Sequence, residues 1–563
     1  MLSLRARIVA LIVCGVASAC GGDAASGVAP PTGTPAAPVL RDANAPVAAT
    51  VGAALAYDAT KAGNTFSDPG RVGLTYGITF SAPVGGVAAS GGTITGTPTA
   101  PGVTMVTITA TDALGRSASD RFGLVVFASG LTTPILPAPP LPYANAVVPL
   151  PAHFLAGGAG GSVVSMDNTP TNNPITDAGA TLGRVLFYDP RLSANDATAC
   201  ASCHRPSIGF GDTPQLSVGF AGALTARHTP SLVNARFYKR GRFFADERAA
   251  TLEAQVLDPI QNPAELGLTL DALALKLVAT PFYPPLFTAA FGSPAVTSDR
   301  VAAALAQYVR SLVSTDSRYD RAFSATGEPN FASTLTAEEQ QGEQLFRSAR
   351  CATCHVSVAQ VGDSVHNTGL DATITDIGAG GGAFKTPSLR NVAVRPRFMH
   401  DGRFTTLDQV VSFYDSGVQA SAGLDPRLRA ADGSPQRLGL SAAQRAALVA
   451  FMKSLTDSTF LTAIRFSNPF APPGSVTPPA GAAVTIQANA FRPASLTVAR
   501  GTTITFTNLD NDRHSAQFDD PTIVSTPIFV SGSRTVTMPS AIGIYFYHCA
   551  IHGASMKGTI TVQ

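Results

Sequence analysis

The sequence predicts a multidomain chain in which two mainly helical units lie between two β-sandwiches. Three observations carry this. Two proline-rich breaks, residues 132–151 and 468–481, separate regions of different composition. Thr-rich runs that alternate with Gly, Pro and Asn turns occupy both ends. Between the breaks, alanine- and leucine-rich stretches place apolar residues three and four apart, as amphipathic helices do. At 563 residues the chain is too long for one core. Charged residues are 13% and nearly balanced, with no basic block, which argues against a nucleic-acid partner.

The chain opens with "MLSLRARIVALIVCGVASAC", which has arginines, a short apolar run and small residues, the layout of an export signal. Ala17, Ser18 and Ala19 before Cys20 resemble a bacterial lipoprotein signal, so residues 1–20 are expected to be removed with Cys20 lipidated, plain secretion being the alternative. The apolar run is too short to span a bilayer comfortably. A soluble or lipid-tethered protein of the periplasm or bacterial envelope follows, touching the membrane only through that anchor. Residues 21–45 read as a flexible tether. Residues 46–128, with runs such as "VTMVTITATD" and "DRFGLVVF", read as a small β-sandwich and resemble immunoglobulin-like or cadherin-like surface modules. Without clustered ligands this module is expected to be a spacer or adhesive element. Residues 129–155 form a stiff linker.

The helical part divides into 156–330 and 331–470, each with one Cys-x-x-Cys-His: Cys200, Cys203 and His204 in "CASCH", and Cys351, Cys354 and His355 in "CATCH". That spacing lets two thiols form thioethers to a haem while the adjacent His supplies the proximal ligand. Two covalently bound haem c groups are therefore expected, on two mainly α domains of cytochrome c type. The segments after the motifs repeat: Thr229-Pro-Ser-Leu-Val-Asn234 then "FFADERAATLEAQV", and Thr386-Pro-Ser-Leu-Arg-Asn391 then "FMHDGRFTTLDQVV". The two units thus arose by duplication.

From "LGRVLFYDPRLSANDATACASCH" to "FSNPF" the chain resembles the bacterial di-haem cytochrome c peroxidase and MauG family. The resemblance implies that the N-terminal haem meets peroxide while the C-terminal haem relays electrons. In "LEAQVLDPIQNPAEL" it places Gln255 and Glu265 on the distal side of the peroxide-reacting haem. Heterolysis needs a group that takes a proton from one peroxide oxygen and returns it to the other; Glu265 is the candidate, with Gln255 orienting. Counting from His400 makes Tyr414 the expected distal ligand of the second haem, the MauG-like choice. Phe220 stands where many relatives carry a labile distal His, so the first haem is expected to be five-coordinate. The chain contains no tryptophan, and Ala245 occupies the place of the family's inter-haem Trp. The family's calcium would lose an Asn ligand to His228, a poor partner for a hard cation, so calcium stands as a doubtful cofactor. His366 and His400 recur in similar family elements and are read as supporting residues.

After a linker at 471–480, residues 481–563 resemble cupredoxins, small blue-copper β-sandwiches. His514 follows the strand-like "GTTITFTNLD", and Cys549, His552 and Met556 close the chain. Two imidazoles and a thiolate make a trigonal type 1 copper site, completed by a long axial thioether. His548 alternates to the opposite face of "IYFYHC" and is excluded. The reading is an exported di-haem peroxidase that reduces hydrogen peroxide with electrons from an unidentified donor or redox protein, relayed through its own copper domain. The linker of about a dozen residues gives that domain roughly millimolar effective concentration. The rivals are a MauG-like oxidase of an organic or protein substrate and a non-catalytic haem and copper conduit.

Overall fold

The structure, a computed structural model, describes residues 36–562 except 145–147, 157–160, 363, 471–481, 488, 511, 540 and 542. The export signal with Cys20, and the 471–480 linker, lie outside the described residues. Among the described residues, no helix is long and apolar enough to cross a membrane.

The N-terminal sandwich packs a four-stranded sheet, ordered Val47–Thr50, Ser117–Phe127, Gly102–Asp112 and Leu74–Phe80, against a three-stranded one, ordered Leu55–Asp58, Thr93–Gly96 and Val87–Ser90. Strand Gly102–Asp112 alternates so that Thr104, Val106, Ile108 and Ala110 turn inward. Ile94, Phe122 and Leu124 complete that core. One expectation changes here. Val39–Leu40, assigned to the tether, pairs with Phe66–Ser67 and belongs to the sandwich. The module is fixed to the first helical unit. Gly123 lies so close to Leu275 that an added Cβ would stand 2.9 Å from its Cδ2. The Ala128 N–H donates to Asp196 Oδ2 at 2.8 Å, and Arg191 sits between the rings of Phe127 and Phe282. Asp196 in turn pairs with fully buried Lys276, which also donates to the Ser193 carbonyl at 2.7 Å.

Each helical unit is built on one close helix pair. Asp177–Tyr188 crosses Ser298–Ser311 where Gly183 meets the Ala304 carbonyl, and Ala337–Ser348 crosses Ala442–Ser454 where Gly342 meets the Ala447 carbonyl. A Cβ on either glycine would approach that carbonyl oxygen to 2.0 or 1.9 Å, so only glycine permits the crossing. Thr176, Thr297, Thr336 and Ser441 cap these helices, the last two with capping boxes to Glu339 and Gln444. The duplication extends to the backbone. Asn234 and Asn391, ending the Thr-Pro-Ser-Leu-x-Asn loops, both have φ 59° and both precede a 3-10 turn.

These two asparagines meet at one buried hub. Asn234 Oδ1 accepts from the Ser314 N–H at 3.0 Å, and Asn391 Nδ2 donates to Ser314 Oγ at 3.1 Å. Ser314 Oγ donates to Asp457 Oδ2 at 3.0 Å, and the Asp457 N–H donates to Asn391 Oδ1 at 2.8 Å. The units are joined again by Arg227, which bonds Asp376 at 2.7 and 2.8 Å and Asp246 at 2.6 Å. The proline-rich linker is tied down rather than free. Tyr143 donates its hydroxyl to the Arg465 carbonyl at 2.6 Å, and the Ile135 N–H donates to the Pro469 carbonyl at 2.7 Å. Proline fixes the backbone but leaves its carbonyl free, and the Pro469 carbonyl serves in this way as an anchor for the first break.

The C-terminal sandwich has sheets ordered Ala490–Arg492, Ala483–Gln487, Thr503–Asn508, Gly532–Thr537 and Ser495–Val498, Gly553–Val562, Gly543–Cys549, Gln517–Phe518. Phe491, Phe506, Phe518 and Tyr547 fill the space between them. Replacing Asp196 by Ala strands the buried Lys276 cation, and breaking such a pair costs about 3–5 kcal/mol. Asp196→Ala should lower the denaturant midpoint and let a protease release the N-terminal sandwich. Unchanged protection would contradict the docking described.

Candidate redox site

One continuous cavity runs between the two helical units and is lined by Cys200, Cys203 and His204 at one side and Cys351, Cys354 and His355 at the other. The first motif opens the helical turn Cys200–Cys203 and the second the 3-10 turn Cys351–Thr353, so in each both thiols emerge beside the histidine. Backbone carbonyls orient the imidazoles: His204 Nδ1 lies 2.9 Å from the Phe210 carbonyl, and His355 Nδ1 3.2 Å from that of Pro387. An Nδ1–H held this way presents Nε2 as the ligand. Burial lowers the His204 pKa, which keeps that lone pair available. It pushes the Cys200 and Cys351 thiols up to about 12 and Cys203 to about 11.

The donors and the cavity fit haem. Arg395 lines the same space with its Nε buried and without a hydrogen-bond partner. Burial lowers its pKa to about 10, so an anionic group such as a haem propionate entering the cavity would offset the cost of the buried guanidinium.

Gln255 and Glu265 both line this cavity. Gln255 is on the helix Leu252–Gln261, capped by the Thr251 hydroxyl, and Glu265 is in the turn after it, where Asn262 Nδ2 donates to Oε1 at 2.8 Å. Burial raises the Glu265 carboxyl above its ordinary range, and the neighbouring Asp258 adds to this. Phe220 has its backbone N–H on the Glu265 carbonyl at 2.8 Å, and its ring packs on Gly267, where a Cβ would stand 2.3 Å from the ring. It offers no ligand atom.

Tyr414 lines the cavity with the second motif and sits in the single π-turn Phe413–Gly417 that ends the helix Leu407–Ser412. Burial pushes its phenol pKa well up. His366 is held by Asp425 at 2.6 Å, and His400 stacks on Phe384 with ring centroids 3.7 Å apart; both line the cavity. The His228 imidazole is fixed through Nδ1 to the Gln215 carbonyl at 3.0 Å, and burial together with Arg395 lowers its pKa to about 4.

The C-terminal sandwich holds the one cluster of three His, Cys or carboxylate ligands among the described residues: His514, Cys549 and His552, whose ligand atoms lie within 4.8 Å of one another. Both imidazoles turn Nδ1 toward the thiol, at 3.7 Å for His514 and 3.4 Å for His552. His514 Nε2 lies 3.2 Å from Asp510 Oδ2, and Ser515 Oγ accepts from the Ala550 N–H at 3.0 Å, tying the two ligand segments together. Met556 is buried in the same core as Cys549. His548 points away, to Asp519 at 3.0 Å. The donor set fits copper. The sequence reading missed Arg395, Asp425, Asp510 and Ser515, none of which carries a motif of its own.

Comparison with known proteins agrees with this anatomy. The description "Di-haem cytochrome c peroxidase" matches residues 177–328 and "Cytochrome c" residues 339–456. "Putative Ig domain" matches 30–127 and "Cupredoxin-like domain" 434–562. The methylamine utilization protein MauG of Methylorubrum extorquens is 37% identical over 299 residues, which cover 51% of this chain and 80% of that one. The chain belongs to the di-haem cytochrome c peroxidase and MauG family. The cytochrome c551 peroxidase of Nitrosomonas europaea is 34% identical over 256 residues, covering 43% of this chain and 73% of that one. A crystal structure of a MauG-like protein associated with microbial copper homeostasis is 32% identical, covers 54% of this chain and 97% of its own, and has a TM-score of 0.49. As a member of this family the chain is an oxidoreductase of the peroxidase class, here with a cupredoxin domain and an Ig-like domain on the same polypeptide.

Two predictions arise from this site. With no ligand atom brought by Phe220, the first haem of the oxidised holoprotein should give a five-coordinate, high-spin spectrum, and Phe220→His should convert it toward low spin. A low-spin first haem in the unsubstituted protein would contradict this. Cu(II) added to the metal-free chain should produce an intense blue absorption that Cys549→Ser abolishes and His548→Ala leaves intact. Loss of the colour on changing His548 would move the site.

Proposed function

We propose that the chain is an exported di-haem peroxidase that reduces hydrogen peroxide to water, H2O2 + 2 e− + 2 H+ → 2 H2O, with electrons relayed through its own C-terminal copper domain. The observation that carries the reading is Glu265: a carboxyl with a raised pKa, lining the cavity at the first Cys-x-x-Cys-His, with Gln255 on the same wall. A pure electron conduit needs no such acid and base. Haem held by Cys200, Cys203 and His204 and by Cys351, Cys354 and His355 would supply redox iron, and copper held by His514, Cys549, His552 and Met556 a one-electron carrier.

The remaining work falls to the side chains. Asn262 occupies Glu265 Oε1, which leaves Oε2 to take a proton from one peroxide oxygen and return it to the other. The Gln255 amide orients the peroxide by hydrogen bonding. Phe220 keeps the distal position open because it brings no ligand atom. In the second unit Tyr414 would be the distal ligand, and a phenolate there lowers the potential relative to a thioether. Electrons would enter at His552, the half-buried ligand of the copper domain, and pass to the second unit before the first. Residues 156–330 and 331–470 would be the two working domains. Export to the periplasm or a lipid anchor at Cys20 would set where they work.

Tyr414 also favours a second reading, a MauG-like oxidase in which electrons are drawn from an organic or protein substrate and leave through copper. Both readings use Glu265 in the same way and differ in the electron source. Glu265→Gln should slow peroxide consumption by about 10²–10⁴-fold with haem content unchanged. Because burial raises the Glu265 pKa, the base form is lost as pH falls through a value above the ordinary carboxylate range. The rate should therefore rise with pH through the mildly acid region, and the Gln variant should lack that limb. A variant with the original rate and pH profile would contradict the assignment.

A further inference from the structure

The two haem-binding units face each other across a wall in which one tyrosine is unusually equipped. Tyr238 is 1% exposed, lines the cavity shared by both Cys-x-x-Cys-His motifs, and donates its hydroxyl to Glu247. Glu247 is itself buried, and its carboxylate accepts from Arg240 Nε at 2.9 and 3.1 Å. The other side of the Tyr238 ring meets the second unit: Lys385 Nζ stands 4.0 Å from its centroid. The Lys385 N–H donates to the Ala245 carbonyl at 2.7 Å, and two residues on, Pro387 holds proximal His355.

The internal repeat shows that this carboxylate has been placed against local preference. Phe244-Ala245-Asp246-Glu247-Arg248 corresponds to Met399-His400-Asp401-Gly402-Arg403, and the backbone keeps the register: φ is 66° at Phe244 and 70° at Met399, 54° at Glu247 and 70° at Gly402. Glu247 thus stands where the second unit has glycine, in a left-handed conformation that glutamate adopts only under strain. A buried phenol needs only one acceptor, and a backbone carbonyl would do. A strained, buried carboxylate that already accepts the phenol's hydrogen bond is instead placed to take its proton. The chain has no tryptophan, so oxidation of an aromatic ring between the units falls to tyrosine or phenylalanine, and only the phenol can lose a proton to a neighbour.

We propose that Tyr238 is a redox-active relay between the two units, with Glu247 its proton acceptor. The phenol gives one electron to the oxidising equivalent that peroxide leaves in the first unit while its proton crosses to Glu247. An electron arriving from the second unit and return of the proton restore it. The proposal rests on the peroxidase reading above.

The test is rapid freeze-quench electron paramagnetic resonance on the full holoprotein after one equivalent of peroxide. A tyrosyl signal, narrowed by ring-deuterated tyrosine, should form and should be lost in Tyr238→Phe at unchanged haem content. Glu247→Gln should slow its formation by about tenfold or more. A tyrosyl signal that persists in Tyr238→Phe, or none in the unsubstituted protein, overturns the proposal. Should Tyr238→Phe fail to load haem, Glu247→Gln decides, an unchanged formation rate overturning it. If peroxide leaves the Soret band unaltered the peroxidase reading fails. A flash-generated ruthenium(III) tris-bipyridine oxidant then tests Tyr238 by itself, with the same outcomes.

Discussion

Four buried polar side chains, Asn234, Ser314, Asn391 and Asp457, hold the two helical units in register, and the redox architecture depends on that hub. Each asparagine ends the loop whose proline lies beside a proximal histidine: Pro230 near His204 and Pro387 at His355. Crossing the loops at one serine sets both histidines relative to each other without any contact between them. All four residues are at most 1% exposed, so every bond in the hub acts in a low dielectric, where an unsatisfied group would be costly. The left-handed backbone at both asparagines is accepted because the hub over-determines it.

From that fixed interface the chemistry divides between the units by environment. The same fold carries Gln255 and Glu265 on one side and Tyr414 on the other. In the first unit the wall carries the buried carboxyl of Glu265, whose pKa is raised by burial. In the second it supplies a phenol on a π-turn that can close the distal position. Duplication provides two sockets of one design, and a few side chains make them differ: Gln255 and Glu265 in one, Tyr414 in the other. The C-terminal sandwich adds a third socket whose donors, His514, Cys549 and His552, are brought together by two strand ends stapled through Ser515.

How much of this is legible in the sequence follows from how local each signal is. Cys-x-x-Cys-His is complete within five residues, and Cys549, His552 and Met556 within eight. The Thr-Pro-Ser-Leu-x-Asn repeat reveals the duplication because both copies meet the same backbone demand. Glu265 and Gln255 are ordinary residues by composition and needed the family resemblance. The docking of the N-terminal sandwich was not legible, since it rests on Arg191 against Phe127, Leu275 against Gly123 and the Lys276-paired Asp196 on Ala128, each unremarkable until the fold brings them together. Arg395 and the contact of Lys385 with Tyr238, 147 residues apart in sequence, are invisible for the same reason. The anchoring of the proline-rich linker was not legible because composition reports backbone stiffness and not the carbonyls that Tyr143 and Ile135 find.

The central claim is that copper and haem serve one peroxide reaction within one chain. Stopped-flow mixing of the fully reduced holoprotein with peroxide tests it most directly, following the haem bands and the blue copper band together. The account predicts that copper oxidises in the same turnover as the haems, at a rate independent of protein concentration. Copper that stays reduced while the haems oxidise, or that oxidises at a rate proportional to protein concentration, would contradict it.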